Sequence, residues 1–210
     1  MMKDPKLFLV SAPSGAGKSS LIDAVLAKAN QSHLLLELSV SYTTRSPRKG
    51  ESNGNQYFFI SEEEFIEKKN SNFFLEHAKV HDNWYGTSLD FVQLKLGSGV
   101  NLILEIDVQG FRQINDLSFS YDSIFILPPS MHSLEERIKS RGDEDLESIN
   151  LRLRNAKDEL AYANEYRHII INDSFDDAEN ELFGIIAQEK SFNRQNTEEV
   201  QQFLAQLLSY

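Results

Sequence analysis

The segment Ser11-Ala12-Pro13-Ser14-Gly15-Ala16-Gly17-Lys18-Ser19-Ser20 constrains this chain more than any other. It follows an apolar run, Leu7-Phe8-Leu9-Val10, and opens a stretch in which Leu21, Ile22, Val25, Leu26 and Ala29 fall on one helical face. A strand, a glycine-rich turn and a helix in that order are the setting of a phosphate-binding loop. Glycines let successive backbone N–H groups converge on phosphate oxygens, the helix N-terminus adds about half a positive charge, and a lysine just inside the helix reaches the terminal phosphates. Ser14, Gly15, Ala16, Gly17, Lys18, Ser19 and Ser20 are the expected contacts to a nucleoside triphosphate, with the Ser19 hydroxyl on magnesium. The strict pattern asks for glycine where this chain has Ala12. The plain alternative is an ordinary turn with a solvated Lys18; two glycines, a lysine and paired serines in this order argue against it.

A chain of 210 residues is long enough for one sizeable core with small inserted lobes. Without cysteine it has neither disulfides nor thiolate metal sites, which suits a reducing compartment. No apolar run approaches the roughly 18 residues that span a bilayer, and the first one is too brief for a signal peptide, so a cytoplasmic protein is expected. With 21 basic and 32 acidic residues the net charge is -11, which argues against broad binding of nucleic acid or anionic membranes. A phosphorylated ligand must then be held by local basic clusters, and there are two: Arg45/Arg48 and Arg137/Arg141/Arg152.

Near-continuous apolar runs at 101–107, 123–127 and 168–172 alternate with helical stretches. That texture predicts an α/β protein, a three-layer α/β/α P-loop core with a parallel sheet covered on both faces. Residues 1–40, 98–131 and 160–210 are assigned to this core. Between 41 and 97, aromatics, turn residues and short alternating runs such as Gln56-Tyr57-Phe58-Phe59-Ile60 predict an inserted small mixed-β lobe. The helical stretch at 132–159, broken by Arg141-Gly142-Asp143, reads as a lid in the form of a mobile hairpin over the loop.

Two acids close the run at 101–107, a costly place for charge unless a cation or donor receives it. Asp107 is the candidate that orients magnesium or its waters; a cap on the following helix is the alternative. Arg45 and Arg48 stand three apart in a proline-containing turn and form a fork suited to a phosphate monoester, or else a solvated basic turn. Tyr57 and Tyr85 would add hydroxyl donors. On the helical stretch, Arg137 and Arg152 have no acid three or four residues away, whereas Arg154 has Asp158 four residues on and reads as a surface pair. His77 and His81 lie in a strand or loop segment, where that spacing is not a zinc pair.

Taken in order, Ser11–Ser20, Ser41-Tyr42-Thr43-Thr44-Arg45-Ser46-Pro47-Arg48, Phe74-Leu75-Glu76-His77-Ala78, Trp84-Tyr85-Gly86-Thr87, Glu105-Ile106-Asp107-Val108-Gln109-Gly110 and Ile171-Asn172-Asp173 resemble guanylate kinase of the bacterial type. The resemblance covers nearly the whole chain, and Ala12 is common in that family. It implies transfer of the terminal phosphoryl group of MgATP to GMP, with dGMP a further expected acceptor, giving ADP and GDP in purine nucleotide metabolism. It implies that Arg45, Arg48, Tyr57 and Tyr85 hold the GMP phosphate, that Ser41, Glu76 and Thr87 read the guanine, and that Asp107 serves the same acceptor. Guanine offers N1–H and N2–H₂ donors side by side, which one carboxylate accepts together; adenine offers no such pair. By the same resemblance Lys18, Arg137, Arg141 and Arg152 act on the ATP phosphates, and Asn172 lies on the ATP side. Glu105 stands where aspartate is usual and Ser174 replaces a frequent acid. Two alternatives stay open: a non-catalytic guanylate-kinase-like scaffold that binds phosphoproteins, disfavoured by the intact loop and by the lack of room for a companion domain, and a P-loop kinase for another phosphorylated acceptor. A homo-oligomer is left open.

Overall fold

The computed structural model describes residues 4–80, 82–115, 120–140, 146–188 and 197–210. The first apolar run forms β1 (Leu7–Ser11), wholly buried, and the helix after the loop is α1 (Lys18–Gln31), which buries Leu21, Ile22, Val25 and Ala29 of the predicted face and leaves Leu26 half-buried. A short half-buried strand, β2 (Leu36–Leu38), comes next, followed by β3 (Ser41–Thr43) and β4 (Tyr57–Phe59). Helix α2 (Glu62–Asn70) begins where the Ser61 side chain accepts from the Glu64 N–H, with three glutamates in its first turn and two lysines in its last, each matched to the helix dipole. A hairpin of β5 (Phe74–Val80) and β6 (Asn83–Ser88) leads into α3 (Leu89–Gly97), capped by Ser88. Then come β7 (Asn101–Glu105), α4 (Val108–Asn115), β8 (Tyr121–Leu127), α5 (Met131–Lys139) and α6 (Leu146–Leu160). The described chain ends with β9 (His168–Ile171), α7 (Phe175–Ile186) and α8 (Glu198–Ser209).

Two compact units result, Met1–Leu7 with Leu35–Tyr121 and Phe8–Leu34 with Asp122–Tyr210. In the first, β2 runs parallel to β7, with Leu36 opposite Asn101 and Leu38 opposite Ile103. The Leu102 N–H donates to the Lys6 carbonyl at the head of β1 (3.0 Å). This unit also carries a mixed sheet in the order β4-β3-β6-β5, in which β3 is parallel to β4 and antiparallel to β6. Its strands all lie within 41–97, where short alternating runs predicted mixed β structure. An aromatic stack of Trp84, Phe65 and Phe74 (centroids 5.6 and 4.4 Å apart) fastens α2 to this sheet.

In the second unit the order is β1-β8-β9, with β8 parallel to β9 and Ile124 opposite His168. Helix α1 packs on α7, where Lys28 reaches Asn180, pairs with Glu179 (3.5 Å) and covers the Phe183 ring. Every described residue from Leu7 to Ser11 and from Asp122 to Leu127 is buried, as a sheet covered on both faces requires. The fold is therefore α/β, a parallel sheet flanked by helices together with a second, mixed sheet. The expected break at Arg141-Gly142-Asp143 falls outside the described residues.

Candidate active site

The phosphate loop belongs to the second unit. Gly15 (φ 93°) and Gly17 (φ 94°) are both left-handed, a conformation side chains resist, so the two glycines of the motif are required by the turn itself. Gly17 is the N-cap of α1 and offers no side chain to its first-turn N–H groups, the arrangement that binds an anion at a helix start. The loop is braced from behind. Asn172, buried at the end of β9, donates from Nδ2 to the Ala16 carbonyl (2.7 Å), and its backbone N–H donates to Leu127 (2.9 Å). A β-carbon on Gly17 would come within 2.5 Å of that same Nδ2, and one on Gly15 would meet Leu134 and Ile138 of α5.

Two of the three expected lid arginines reach this loop. Arg152 of α6 donates from Nη2 to Ser14 Oγ (2.8 Å), and Arg137 of α5 donates from Nη1 to the Ala16 carbonyl (3.4 Å). Arg141 lies outside the described residues. Arg154 and Asp158, the surface pair expected on α6, are both exposed. Gly15, Gly17, Ser20, Arg137, Asn172 and Phe175 line a cavity of about 350 Å³ beside the loop. Phe175 was not anticipated from sequence. Nor was the task of Ser174, which accepts from the Asp177 N–H (3.4 Å) and caps α7, so the serine that replaces an acid has a structural use.

In the first unit, three strands of the mixed sheet bring Ser41, Glu76 and Thr87 together. Glu76 of β5 lies opposite Thr87 of β6, and the Thr87 hydroxyl donates to Glu76 Oε1 (2.7 Å). Ser41 Oγ is 3.3 Å from Thr87 Oγ1. Since the threonine proton is committed to the carboxylate, Ser41 donates in turn, and the chain of hydroxyls ends on Glu76. That carboxyl is only 5% exposed. Burial, with the charge of Asp107 nearby, pushes it up from 4.5 to about 7.

Asp107 accepts the Gly110 N–H on Oδ1 (2.8 Å) and Gln109 Nε2 on Oδ2 (3.3 Å), so it caps α4, the alternative kept open for it in the sequence. The run predicted as a strand through residue 107 stops at Glu105 because Asp107 turns to this cap.

Around the basic turn, the Arg45 guanidinium donates to Glu51 Oε1 (2.9 Å) and to the Ser46 carbonyl (2.8 Å), and lies over the rings of Tyr57 and Phe59. Arg48 gives its N–H to Glu51 Oε2 (2.6 Å) while its side chain is exposed. The rings of Tyr57 and Tyr85 meet edge to face at 5.8 Å. Burial pushes the Tyr57 phenol up to about 12, with the charge of Glu105 adding to the effect, so Tyr57 stays a hydroxyl donor at neutral pH.

Among the described residues no group of three or more His, Asp or Glu side chains is placed to hold a metal. No described helix is long and apolar enough to cross a membrane.

Comparison with known proteins gives a consistent result. The family model for guanylate kinase matches residues 4–189. The guanylate kinase of Mannheimia succiniciproducens is 46% identical over 209 residues, 99% of this chain and all of that protein. That of Hahella chejuensis is 45% identical over 185 residues, 88% of this chain and 87% of its own. Among solved structures, the guanylate kinase of Anaplasma phagocytophilum superposes with a TM-score of 0.70 at 28% identity, covering 97% of this chain and 95% of that one.

Proposed function

The chain belongs to the guanylate kinase family, an ATP:GMP phosphotransferase, and on that premise we propose how its two groups of residues divide the reaction. The loop at 14–20, with Lys18, Arg137 and Arg152, holds the ATP phosphates; Arg141 is assigned the same task by resemblance. Ser41, Glu76 and Thr87 read the guanine of GMP, with Asp107 beside them. Arg45, Arg48, Tyr57 and Tyr85 hold the GMP phosphate.

Phosphoryl transfer asks for alignment and charge neutralisation more than for covalent help from the protein. An oxygen of the GMP phosphate forms the new bond to the γ-phosphorus as the bond to the ADP oxygen breaks. At neutral pH the attacking phosphate carries no proton that must leave, so no general base is needed. Lys18 and the arginines act on the charge of the transferring group, and they lower the barrier to the degree that they meet that charge better in the transition state than in the ground state.

The donor set fits magnesium held mainly by nucleotide phosphates and water: Ser19 offers an exposed hydroxyl in the first turn of α1, and no protein cage of carboxylates is present among the described residues. Asp107 fits this task less well, since Oδ1 is committed to the cap of α4. Bound magnesium would neutralise charge on the β- and γ-phosphates.

The observation that carries this reading is the buried Glu76 joined to Thr87 and Ser41. An ionised Glu76 has a second oxygen for the paired N–H donors of guanine, and neither a scaffold nor a kinase for another acceptor accounts for such a carboxylate. The test is a coupled assay of ADP formation with MgATP and GMP, AMP, UMP or CMP. Turnover with GMP far above the other three is expected. Equal turnover with AMP would end the reading of Glu76, and GMP binding without turnover would favour the scaffold.

A further inference from the structure

Gly110 has no conformational need to be glycine. It lies inside α4 and its φ is not positive, so any residue could adopt its backbone. Space accounts for it. A β-carbon at 110 would lie 2.5 Å from Glu76 Oε2, 3.2 Å from Glu76 Cδ and 3.5 Å from Asp107 Oδ1. The Glu76 side chain cannot simply swing away, because it is buried and its other oxygen accepts from Thr87.

A second contact fixes the distance between α4 and this strand. Gln113, one helical turn after Gly110, accepts the His77 N–H on Oε1 (3.1 Å) and donates from Nε2 to the His77 carbonyl (2.6 Å). Strand β5 is the edge of the mixed sheet, so the Gln113 amide takes the place of a neighbouring strand at the residue next to Glu76.

We infer that α4 sets the selectivity for the guanine base, with Gly110 and Gln113 as positioning residues: one leaves the space that the Glu76 carboxylate fills, the other pins the backbone that carries it. The inference rests on the reading of Glu76 as the base acceptor.

Three variants test it, assayed in the full chain with GMP and with inosine monophosphate, which lacks the 2-amino donor. Alanine is a better helix former than glycine, so Gly110→Ala is expected to fold. It should lower kcat/KM for GMP by about tenfold or more while the KM for ATP changes less than about twofold, and it should narrow the preference for GMP over inosine monophosphate. Glu76→Asp withdraws the carboxylate by one methylene, so the double variant G110A/E76D should lose little beyond E76D alone. Gln113→Met should shift the base preference in the same direction by a smaller factor. Additive losses in the double variant, or an equal fall for both nucleotides in G110A and Q113M, would overturn the inference and leave Glu76 as the base acceptor. An unchanged base preference in E76D alone would overturn both.

Discussion

Glu51 holds Arg45 and Arg48 at once: one carboxylate oxygen accepts from the Arg45 guanidinium and the other from the Arg48 backbone N–H. The turn at 45–51 is thereby closed on an anion of its own, and the Arg45 guanidinium is held over Tyr57 and Phe59. Glu51 keeps its carboxyl ionised, since the hydrogen bond from Arg45, then that from the Arg48 N–H, hold it below the usual carboxylate range.

Glu51→Gln should therefore loosen the turn without removing a group that touches GMP in the proposed scheme. The KM for GMP should rise a few-fold, and the KM for ATP should stay level, because a partly exposed ion pair orients more than it stabilises. Steady-state kinetics with each substrate varied in turn read this directly. A larger effect on ATP than on GMP would place Glu51 in a different task.

Glu76 supplies a pH signature. Burial, opposed by the hydrogen bond from Thr87 and helped by the charge of Asp107, places its carboxyl at about 7 instead of 4.5. Between those values the folded protein keeps a proton that the unfolded chain has released. Folding is therefore favoured on the acid side, and that advantage is lost as pH rises from 4.5 to about 7. The full difference is on the order of 3 kcal/mol. Glu76→Gln has no such slope, so its thermal midpoint should gain on the parent's as pH climbs through this window. Parallel curves would show that Glu76 titrates as an ordinary surface acid. In the parent, kcat/KM for GMP should fall below pH 7, since only the ionised carboxylate accepts both guanine donors.

How legible this was in the sequence depends on how local each feature is. The phosphate loop was readable because two left-handed glycines, a lysine and a helix start lie within a few consecutive residues. Strand β2 was not: three half-buried residues, Leu36–Leu38, are defined by pairing with residues 101–103, far along the chain. Glu76 is one of 32 acids, and what separates it from the rest is the sheet that buries it and the helix that faces it. Only resemblance to a family could single it out. Gly110 stood inside a quoted motif, yet its reason, the carboxylate it makes room for, is 34 positions away in sequence and exists only after folding.

Asn172 braces the loop through the Ala16 carbonyl, where it is buried and bonded at 2.7 Å. Asn172→Ala leaves that carbonyl with only the long contact from Arg137. The loss should cost about 1–3 kcal/mol, a fall of a few degrees in Tm for a chain of this size, about 2–4 °C per kcal/mol. The KM for ATP should rise with it. Calorimetry and ATP titration on the same preparation test the pair of outcomes, and a stable variant with unaltered ATP affinity would remove Asn172 from the donor side.

Arg152 gives the sharpest contrast with a neighbour. It has no acid three or four residues away on α6 and reaches Ser14 in the loop, whereas Arg154 points its exposed side chain into solvent. If Arg152 acts on the transferring phosphoryl group, its truncation removes an interaction that strengthens as charge shifts in the transition state. Arg152→Ala should then lower kcat by about a hundredfold or more, with far less change in the KM for GMP. Arg154→Ala removes the same charge two positions away and should leave kcat within about twofold, as expected for a solvated surface group. Ser14→Ala separates positioning from charge: it deletes the hydroxyl that Arg152 meets but keeps the guanidinium, so it should cost much less than R152A. Equal losses in R152A and R154A would assign the effect to the net charge of α6, and a loss in R152A confined to GMP affinity would move Arg152 to the acceptor side.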